Sequence, residues 1–599
     1  MIHTIREAGP RALLLELETL DEVLACHQQL ASTPLQGQVD AVAAARTILL
    51  RFVSRRALRA AREALSVLEI GEFSAQDARH VELEVIYDGE DLDELAAHLG
   101  MSAEALVNWH SGQDWTGAFG GFAPGFTYCV PSRQGSQSTG DAVDVPRRSS
   151  PRTAVPAGAV ALAGEFSAVY PRISPGGWQL IGHTPAQLWD LSREGHGESP
   201  ALVSPGDSVR YKPVTAQTRT SSSTANAPAR SESADSTEGT PALSVLEPGL
   251  QTLIQDLGRI GYSDLGVSRA GVADEAAARQ GNRLVGNGPE TAVLEVLHGG
   301  LVLRAETTVV LAVTGAQVSL RISSASAVAP PSDTGPADTP PTNTAPSDTP
   351  PTDTSLQSSS RPAPLCAPFA LLAGETLSLG APDVGLRAVV SVRGGIAAQE
   401  VLGSVSADTM SGLGPAPLAA GDSLFTAGPA QHSVGEPEAV QNSATAHDPG
   451  SVESDGPGSR TPSPQLRFTY GPRHDWFSPE EAHRLGAQSW TVTQASNRIG
   501  IRLDVGRSSE GHDPAPLERL KQGELPSEGV VRGSLQMPPS GTPVLFLNDH
   551  PVTGGYPVIG VVIDEDLSIA AQLVPGEDIR LVAVDPDTLE PLSLPTPDV

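Results

Sequence analysis

VPRRSSPRTAVPAGAVALAGEFSAVYPRISPGGWQLIGHTPAQLWD, residues 145–190, is the stretch whose reading decides the fold. It places Gly, Pro, Ser and Arg where a plain strand would carry Val and Ile. Backbone-forcing residues this close together mark loops held in one shape for binding or chemistry. Between them run short apolar segments, GAVALAG, WQLIGHT and LWDL, followed downstream by SVRYKPV. Short strands cut by Gly/Pro turns predict a small β-barrel over residues 106–214.

Outward from this barrel the pattern changes. Residues 1–105 read as α/β: RALLLELE and ARTILLRF are strand-like, while LDEVLACHQQLAS and SRRALRAAREALSVLE have helical spacing. VELEVIYDG is a third strand, and DLDELAAHLGMSAEALVNWHS a helix pair with Ser102 placed as an N-cap. Residues 243–430 are mostly β, with one helix, ADEAAARQGNRLVG, stopped at Gly286-Asn287-Gly288. Residues 465–590 form another β block with a short helix, SPEEAHRLG, and residues 591–599 are a tail. Three segments are low in complexity: residues 215–242, 323–364 and 431–464. None can bury enough apolar surface to offset its ordering entropy, so they are expected to be a linker, a loop insertion and a disordered loop. The expected class is mainly β with α+β: a small α/β domain and several barrels joined by linkers.

Composition narrows the function. A formal charge of −31 over 599 residues argues against nucleic acid and anionic membrane surfaces as partners. Cys26, Cys129 and Cys366 lack any CxxC spacing, which suggests a reducing compartment. No signal peptide and no apolar run of ~18 residues is read, so a cytoplasmic location is expected. Lysine occurs only at Lys212 (RYKPV) and Lys521 (RLKQGE). Neither fits a biotin-accepting turn, and no GxxxxGK[ST] string exists, so biotin on this chain and a P-loop are not expected. Any anion should be held by Arg, backbone N–H groups or a metal.

Longer composite motifs add a resemblance. GGFAPGFTYCV (residues 120–130), PRRSSPRTAVPAG and YPRISPGGWQLIGHTP together resemble the KipI family, also described as the 5-oxoprolinase B component or allophanate hydrolase subunit 1. LSVLEPGLQTLIQDLGRIGYSDLGV (243–267), with NRLVGN, VLEV and VTGA, resembles the opening of KipA, the family of the C component. SEGVVRGSLQMPPSGTPVLFLNDHPVTGGYP (527–557) resembles that family's C-terminal motif. The resemblance implies cyclophilin-like barrels in both halves and a complex made permanent by the linker. It further implies an ATP-dependent 5-oxoprolinase that opens 5-oxo-L-proline to L-glutamate, with Mg2+ and ATP as co-substrate. The partner it implies is the LamB/YcsF-type A component of that enzyme. The chain departs from the pattern at His183, where the family usually has Arg, at SAVYP and at AGVAD.

Opening a lactam requires activation of a resonance-stabilised carbonyl, so the protein must orient two anions and stabilise developing charge. His110, Asp549 and His550 are the candidate acids and bases. The residues alone favour a plainer reading of His110, a helix-end histidine stabilised by the dipole. Gly121, Gly125 and Phe126 form a stiff segment that is either a substrate wall or a tight interdomain turn. Gly176, Gly177 and Trp178 lie near Arg147, Arg152 and His183 in sequence and could bind an anion. Asp256 and Arg259 are either a functional pair or a turn salt bridge. Asp274 and Asn282 lie two turns apart on one helix and could face substrate, or act as an N-terminal carboxylate and a polar face residue. Glu295 sits inside a strand, where a carboxylate must be used or paired. Gln536, Asn548, Thr553, Gly554, Gly555 and Tyr556 complete a polar cluster around Asp549 and His550. No metal-ligand spacing is present.

The leading reading is the fused B and C components of the 5-oxoprolinase. Alternatives are the carboxyltransferase component of a urea amidolyase-like system, and a KipI-type regulator of a sensor histidine kinase. Which half binds ATP and whether the chain forms a homo-oligomer stay open.

Overall fold

The computed structural model describes residues 2–71, 79–132, 143, 145–148, 150, 152–196, 198–215, 241–324, 359–440, 463–506, 514–523 and 525–592. Its first layer is a four-stranded antiparallel sheet in the order Thr4–Glu7, Ala12–Glu16, Thr47–Phe52, Gln38–Ala43. Helices α1 (Leu20–Ser32) and α2 (Arg55–Leu65) cover one face, started by Thr19 and Ser54, whose hydroxyls accept from Glu22 N and Ala57 N. Alternate side chains of a strand face opposite sides. Leu13 and Leu15 meet Val23, Leu30 and Leu58 under the helices, whereas Ala12 and Leu14 meet Val530, Val531 and Phe546 of the second half. That two-sided burial explains why ALLLE reads as a continuous apolar run rather than an alternating one.

Two seven-stranded units follow the same path. The first takes its strands in the order His80–Val85, Ser208–Pro213, Trp115–Gly121, Ala123–Pro131, Phe166–Val169, Ala159–Ala163, Gln179–His183. Reciprocal backbone bonds of 2.8 Å between Ile86 and His183 join its two edges. The second, a closed barrel, runs Gln465–Tyr470, Asp578–Ala583, Ser489–Val492, Gly500–Val505, Val544–Phe546, Ser534–Gln536, Val558–Val562. In both, the strands that come first and last along the chain pair in parallel, and a helix precedes the strand that comes second along the chain. After α3 (Leu92–His98), that helix is α4 (Ala103–Ser111) in the first unit. Trp115 Nε1 donates to His110 O there, and Trp490 Nε1 donates to Leu485 O in the second unit, both at 2.9 Å. The chain therefore contains one barrel design twice, and His110 occupies the place of Leu485.

The parallel pairing from Ser208↔His80 to Pro213↔Val85 corrects the expected boundary at residue 105. The strand at 80–85 and α3–α4 belong to the barrel, because only there does this strand find a backbone partner.

Between the barrels lies a nine-stranded sheet built around the long strands Val309–Ser324 and Glu375–Val392. Its helix α5 (Glu275–Val285) starts at Asp274, which accepts from Ala277 N at 2.9 Å, and stops at Gly286 with φ 76°. Ser324 pairs with Ser359, so the 325–358 segment joins the ends of neighbouring strands. Residues 216–240, 325–358 and 441–462, on which most of the low-complexity expectations fall, lie outside the described residues. Residues 431–440 depart from the expected disordered loop. They run beside α5, tied by His432 N→Gly286 O, Gly435 N→Leu284 O and the Arg283–Glu438 ion pair at 2.6 Å. Helices α6 (Pro479–Ala487) and α7 (Leu567–Ala571) flank the last barrel. No helix among the described residues is long and apolar enough to cross a membrane.

Candidate functional site

The two halves meet along a seam built by glycines. Residues 120–126, expected to be a loop, are the tip of a β-hairpin turning at Phe122 with φ 46°. A Cβ on Gly120 would collide with the Asp264 carbonyl, and one on Gly121 with Thr553 Oγ1. A Cβ on Gly266, at φ 77°, would strike the Ala123 carbonyl. Only glycine lets these backbones approach so closely. Phe122 N donates to Thr553 Oγ1 at 3.3 Å, and Ser263 Oγ donates to Asp40 across the same seam. Arg473 extends it, bridging Glu16 of the N-terminal sheet and Glu528 of the last barrel.

The motifs of the two halves converge here. Tyr128 has its phenol pushed up by burial, partly offset by hydrogen bonding to Ser527, by the Arg147 charge and by Thr553. Arg147 is exposed, and its Nη1 lies 3.7 Å from where a Gly555 Cβ would be. Gln536 Nε2 donates to Tyr556 O at 3.3 Å, and a Cβ on Gly554 would meet that same nitrogen. The Tyr556 ring is 44% exposed, with the Arg519 guanidinium 5.7 Å from its centroid. Gly121, Arg147, Gln536, Thr553, Gly554, Gly555 and Tyr556 are thus brought together, although the first two come from one half and the rest from the other.

Other candidates from the first half stand apart from this group. Phe126 and Trp178 are core aromatics in edge-to-face contact at 5.6 Å, beside Tyr128 and Tyr170. Gly125, with φ 77°, sits against Trp189. Gly176 clears the Tyr170 hydroxyl, and the Gly177 carbonyl accepts from Arg148 N at 2.8 Å. Arg152 and Arg148 clamp buried Asp91 at 2.8 and 2.5 Å, while Asp91 also accepts from Leu180 N. Arg152 is therefore committed to holding the 88–91 turn on the barrel. His183 pairs with Asp88 at 2.7 Å on the surface, so its contact is local.

His110 is fully buried, contrary to the expectation of an acid/base facing a ligand. Its Nδ1 lies 2.7 Å from Tyr87 Oη and its Nε2 2.8 Å from Ser167 Oγ, and the Tyr211 ring lies 4.3 Å away, tilted by 33°. Burial pushes its pKa down to about 3. This lies below the free imidazole value, so the neutral form stabilises the fold above about pH 6.5, and that contribution is lost as pH falls toward 3. Leu485 in the twin barrel shows that the site accepts an apolar side chain. We expect His110→Leu to cost about 1–3 kcal/mol, because Tyr87 and Ser167 lose a partner. It should also flatten part of the acid loss of stability in melts from pH 7 to 4 and leave turnover within about 3-fold. A loss near 100-fold, the scale of a true acid/base, would restore the catalytic role.

Asp549 is likewise withdrawn from acid/base work. It is wholly buried and accepts from Arg498 Nε and Nη2 at 2.9 Å each, and from Thr409 N and Oγ1 at 2.9 and 2.6 Å. Arg498 reaches on to Glu295 at 2.5 Å and to the Gly271 carbonyl at 2.7 Å. Burial draws the guanidinium's pKa down, but Asp549 and Glu295 more than offset it. Glu295 also accepts from Ala273 N at 2.7 Å, which meets the need for pairing seen in its strand position. Asn548 Nδ2 donates to the carbonyls of Ala270, Gly271 and Val272 at 3.0–3.1 Å. These bonds bolt the nine-stranded block to the last barrel.

Asp256 and Arg259 form no ion pair with each other. Asp256 takes Ser404 Oγ, Ser406 Oγ and Val405 N, while Arg259 donates to Ser406 O at 2.6 Å, so both shape the 401–408 loop. Asp274 caps α5 and accepts from Gln572 at 2.7 Å; Asn282 donates to Thr291 O at 2.7 Å. Both have packing roles and do not face one ligand. Asn548 and His550, but not Asp549, line a cavity of about 610 Å³ between the N-terminal sheet, α5 and the last barrel. Its walls include Arg51, Arg269 and Arg532, which sequence reasoning missed. A signal existed for Arg51, a charge inside the apolar strand TILLRF. Among the described residues no group of three or more His, Cys, Asp or Glu could hold a metal ion.

This twin-barrel architecture with its glycine seam defines the class. The family model described as carboxyltransferase domain, subdomain C and D, matches residues 3–198, and that for subdomain A and B matches residues 265–333 and 351–583. The chain belongs to this carboxyltransferase-domain family and carries both parts in one polypeptide. Its first half is 39% identical over 170 residues to the 5-oxoprolinase B component of Escherichia coli O157:H7, covering 28% of this chain and 73% of that one. Its second half is 28% identical over 343 residues to the 5-oxoprolinase C component of Escherichia coli strain K12, covering 57% and 90%. The crystal structure of TTHA0988 is similar over 95% of this chain and 99% of its own, with a TM-score of 0.70 at 29% identity.

Proposed function

We propose that this chain is the fused B and C part of an ATP-dependent 5-oxoprolinase. With a LamB/YcsF-type A component, it opens the lactam of 5-oxo-L-proline to L-glutamate while ATP is hydrolysed. The observation that carries the reading is the convergence at the seam: Arg147, from the B-like half, stands beside Gly555, from the C-like half. A site shared in this way needs both halves in fixed register, which a tether supports by keeping their effective concentration near millimolar. In this reading Arg147 holds an anionic group, the backbone amides around Thr553–Gly555 polarise an oxygen, and Tyr556 walls the site. ATP with Mg2+ is the co-substrate.

The test is glutamate formation by the chain with its cognate A component. Arg147→Ala should lower kcat/KM at least about 10-fold, since charge-assisted contacts to a small anion are among the strongest a site makes. The melting temperature should move far less than turnover, because Arg147 is exposed. Unchanged kcat/KM would remove Arg147, and with it the seam, from the site.

A further inference from the structure

The cavity of about 610 Å³ has a charge unlike the rest of the molecule. The chain as a whole is at −31, yet five guanidiniums and only three carboxylates line this space. At one end Arg11 is matched by Asp564 at 3.2 Å and Glu565 at 3.1 Å. At the other end a single carboxylate, Glu275, serves Arg269 at 3.2 Å, Arg532 at 2.8 Å and Arg279 at 3.5 Å, and Arg51 stands outside these pairs. Arg532 Nη1 is buried and, despite its approach to Glu275, finds no hydrogen bond of acceptable geometry. Arg269 is held below the usual arginine range by burial, with Arg532 and Arg51 adding like-charge repulsion that Glu275 and Asp564 only partly offset.

Two further features suit the organic part of a ligand. His550 Nδ1 lies 2.7 Å from the Pro551 carbonyl, so that nitrogen carries the proton and Nε2 is left as an acceptor for a hydroxyl rather than for phosphate oxygens. Burial first, then the Arg51 and Arg532 charges, push this imidazole down to about 4, which keeps it neutral. The lining also includes the apolar Phe52, Val531 and Val561, so the space suits a ligand with an organic part as well as a charge. Its volume lies in the range of small-molecule sites.

We propose that this cavity binds a phosphate-bearing small molecule, with the phosphate among Arg51, Arg269 and Arg532 and the organic part along Phe52 and Val531. Planar guanidiniums match phosphate oxygens in pairs, and a dianion relieves the repulsion among them. The inference rests on the ATP-coupled reading only for which molecule carries the phosphate.

Titration calorimetry on the intact chain alone, without its A component, tests it with inorganic phosphate and with ADP. Saturable binding is expected, weakened at least about 10-fold in Arg51→Gln and in Arg532→Gln and partly retained in Arg51→Lys. It should be unchanged in Arg59→Gln, whose guanidinium pairs with Asp587 on the surface. ADP that binds more tightly than phosphate and displaces it identifies a nucleotide as the carrier. Phosphate that binds without competition from ADP identifies inorganic phosphate or an acyl phosphate. Absence of saturable binding by both probes, or binding untouched in folded Arg51→Gln and Arg51→Lys proteins, overturns the proposal. Either failure leaves the turnover assay of the preceding proposal standing, because that assay does not depend on where phosphate binds.

Discussion

Arg498→Met is expected to destabilise the protein by about 3–5 kcal/mol, the cost of breaking a buried ion network by removing one partner. Asp549 and Glu295 would remain at 0% and 4% exposure without their shared cation. Glu295 would keep Arg387 at 3.6 Å, but Asp549 would be left with the uncharged donors of Thr409 alone. Thermal melts measure the deficit. The expected route of unfolding is release of the last barrel from the nine-stranded block, since Arg498 joins Gly271 and Glu295 of one to Asp549 of the other. A variant within about 1 kcal/mol of wild type would show that these bonds do not hold the two blocks together.

Gly121→Val should have the second large effect, on turnover first and on stability second. A Cβ alone would already strike Thr553 Oγ1, and Gly120 and Gly266 leave no slack on either side. The hairpin tip must back away, moving Arg147 relative to Gly555. Displacement of about 1 Å costs on the order of 100-fold in reactions that depend on positioning. Glutamate formation in the two-protein assay should fall by at least that factor. The far-UV spectrum should be preserved, because the hairpin's own strand pairs, such as Gly117↔Cys129, lie away from the tip. Wild-type turnover would separate the seam from the chemistry.

Local features were the readable part of the sequence. Helix α5 was bounded in the sequence by Asp274 and Gly286, because an N-cap carboxylate and a left-handed glycine are local requirements. Glu295 announced a partner because a charge in an apolar strand must be neutralised. What stayed hidden depends on contacts between distant segments. Nothing near Arg498 in SNRIG indicates that it meets residues over two hundred positions earlier. The motif residues Asp549, Arg152 and His110 were read as chemistry because motifs show constraint, yet here the constraint is packing: each is buried or clamped by named partners. Gly120 and Gly121 illustrate the same ambiguity, since a glycine kept for close approach reads like one kept for a ligand. Barrels in both halves were expected, but their common strand path was not legible, because it is carried by different residues, His110 against Leu485 and Tyr211 against Leu581.

The measurement that tests the central claim most directly is reconstitution: purified chain, a cognate LamB/YcsF-type protein, 5-oxo-L-proline and Mg-ATP, with glutamate and ADP followed together. The account predicts glutamate and ADP in equal amounts only when both proteins and ATP are present. No glutamate from a well-folded chain with its cognate partner would contradict it.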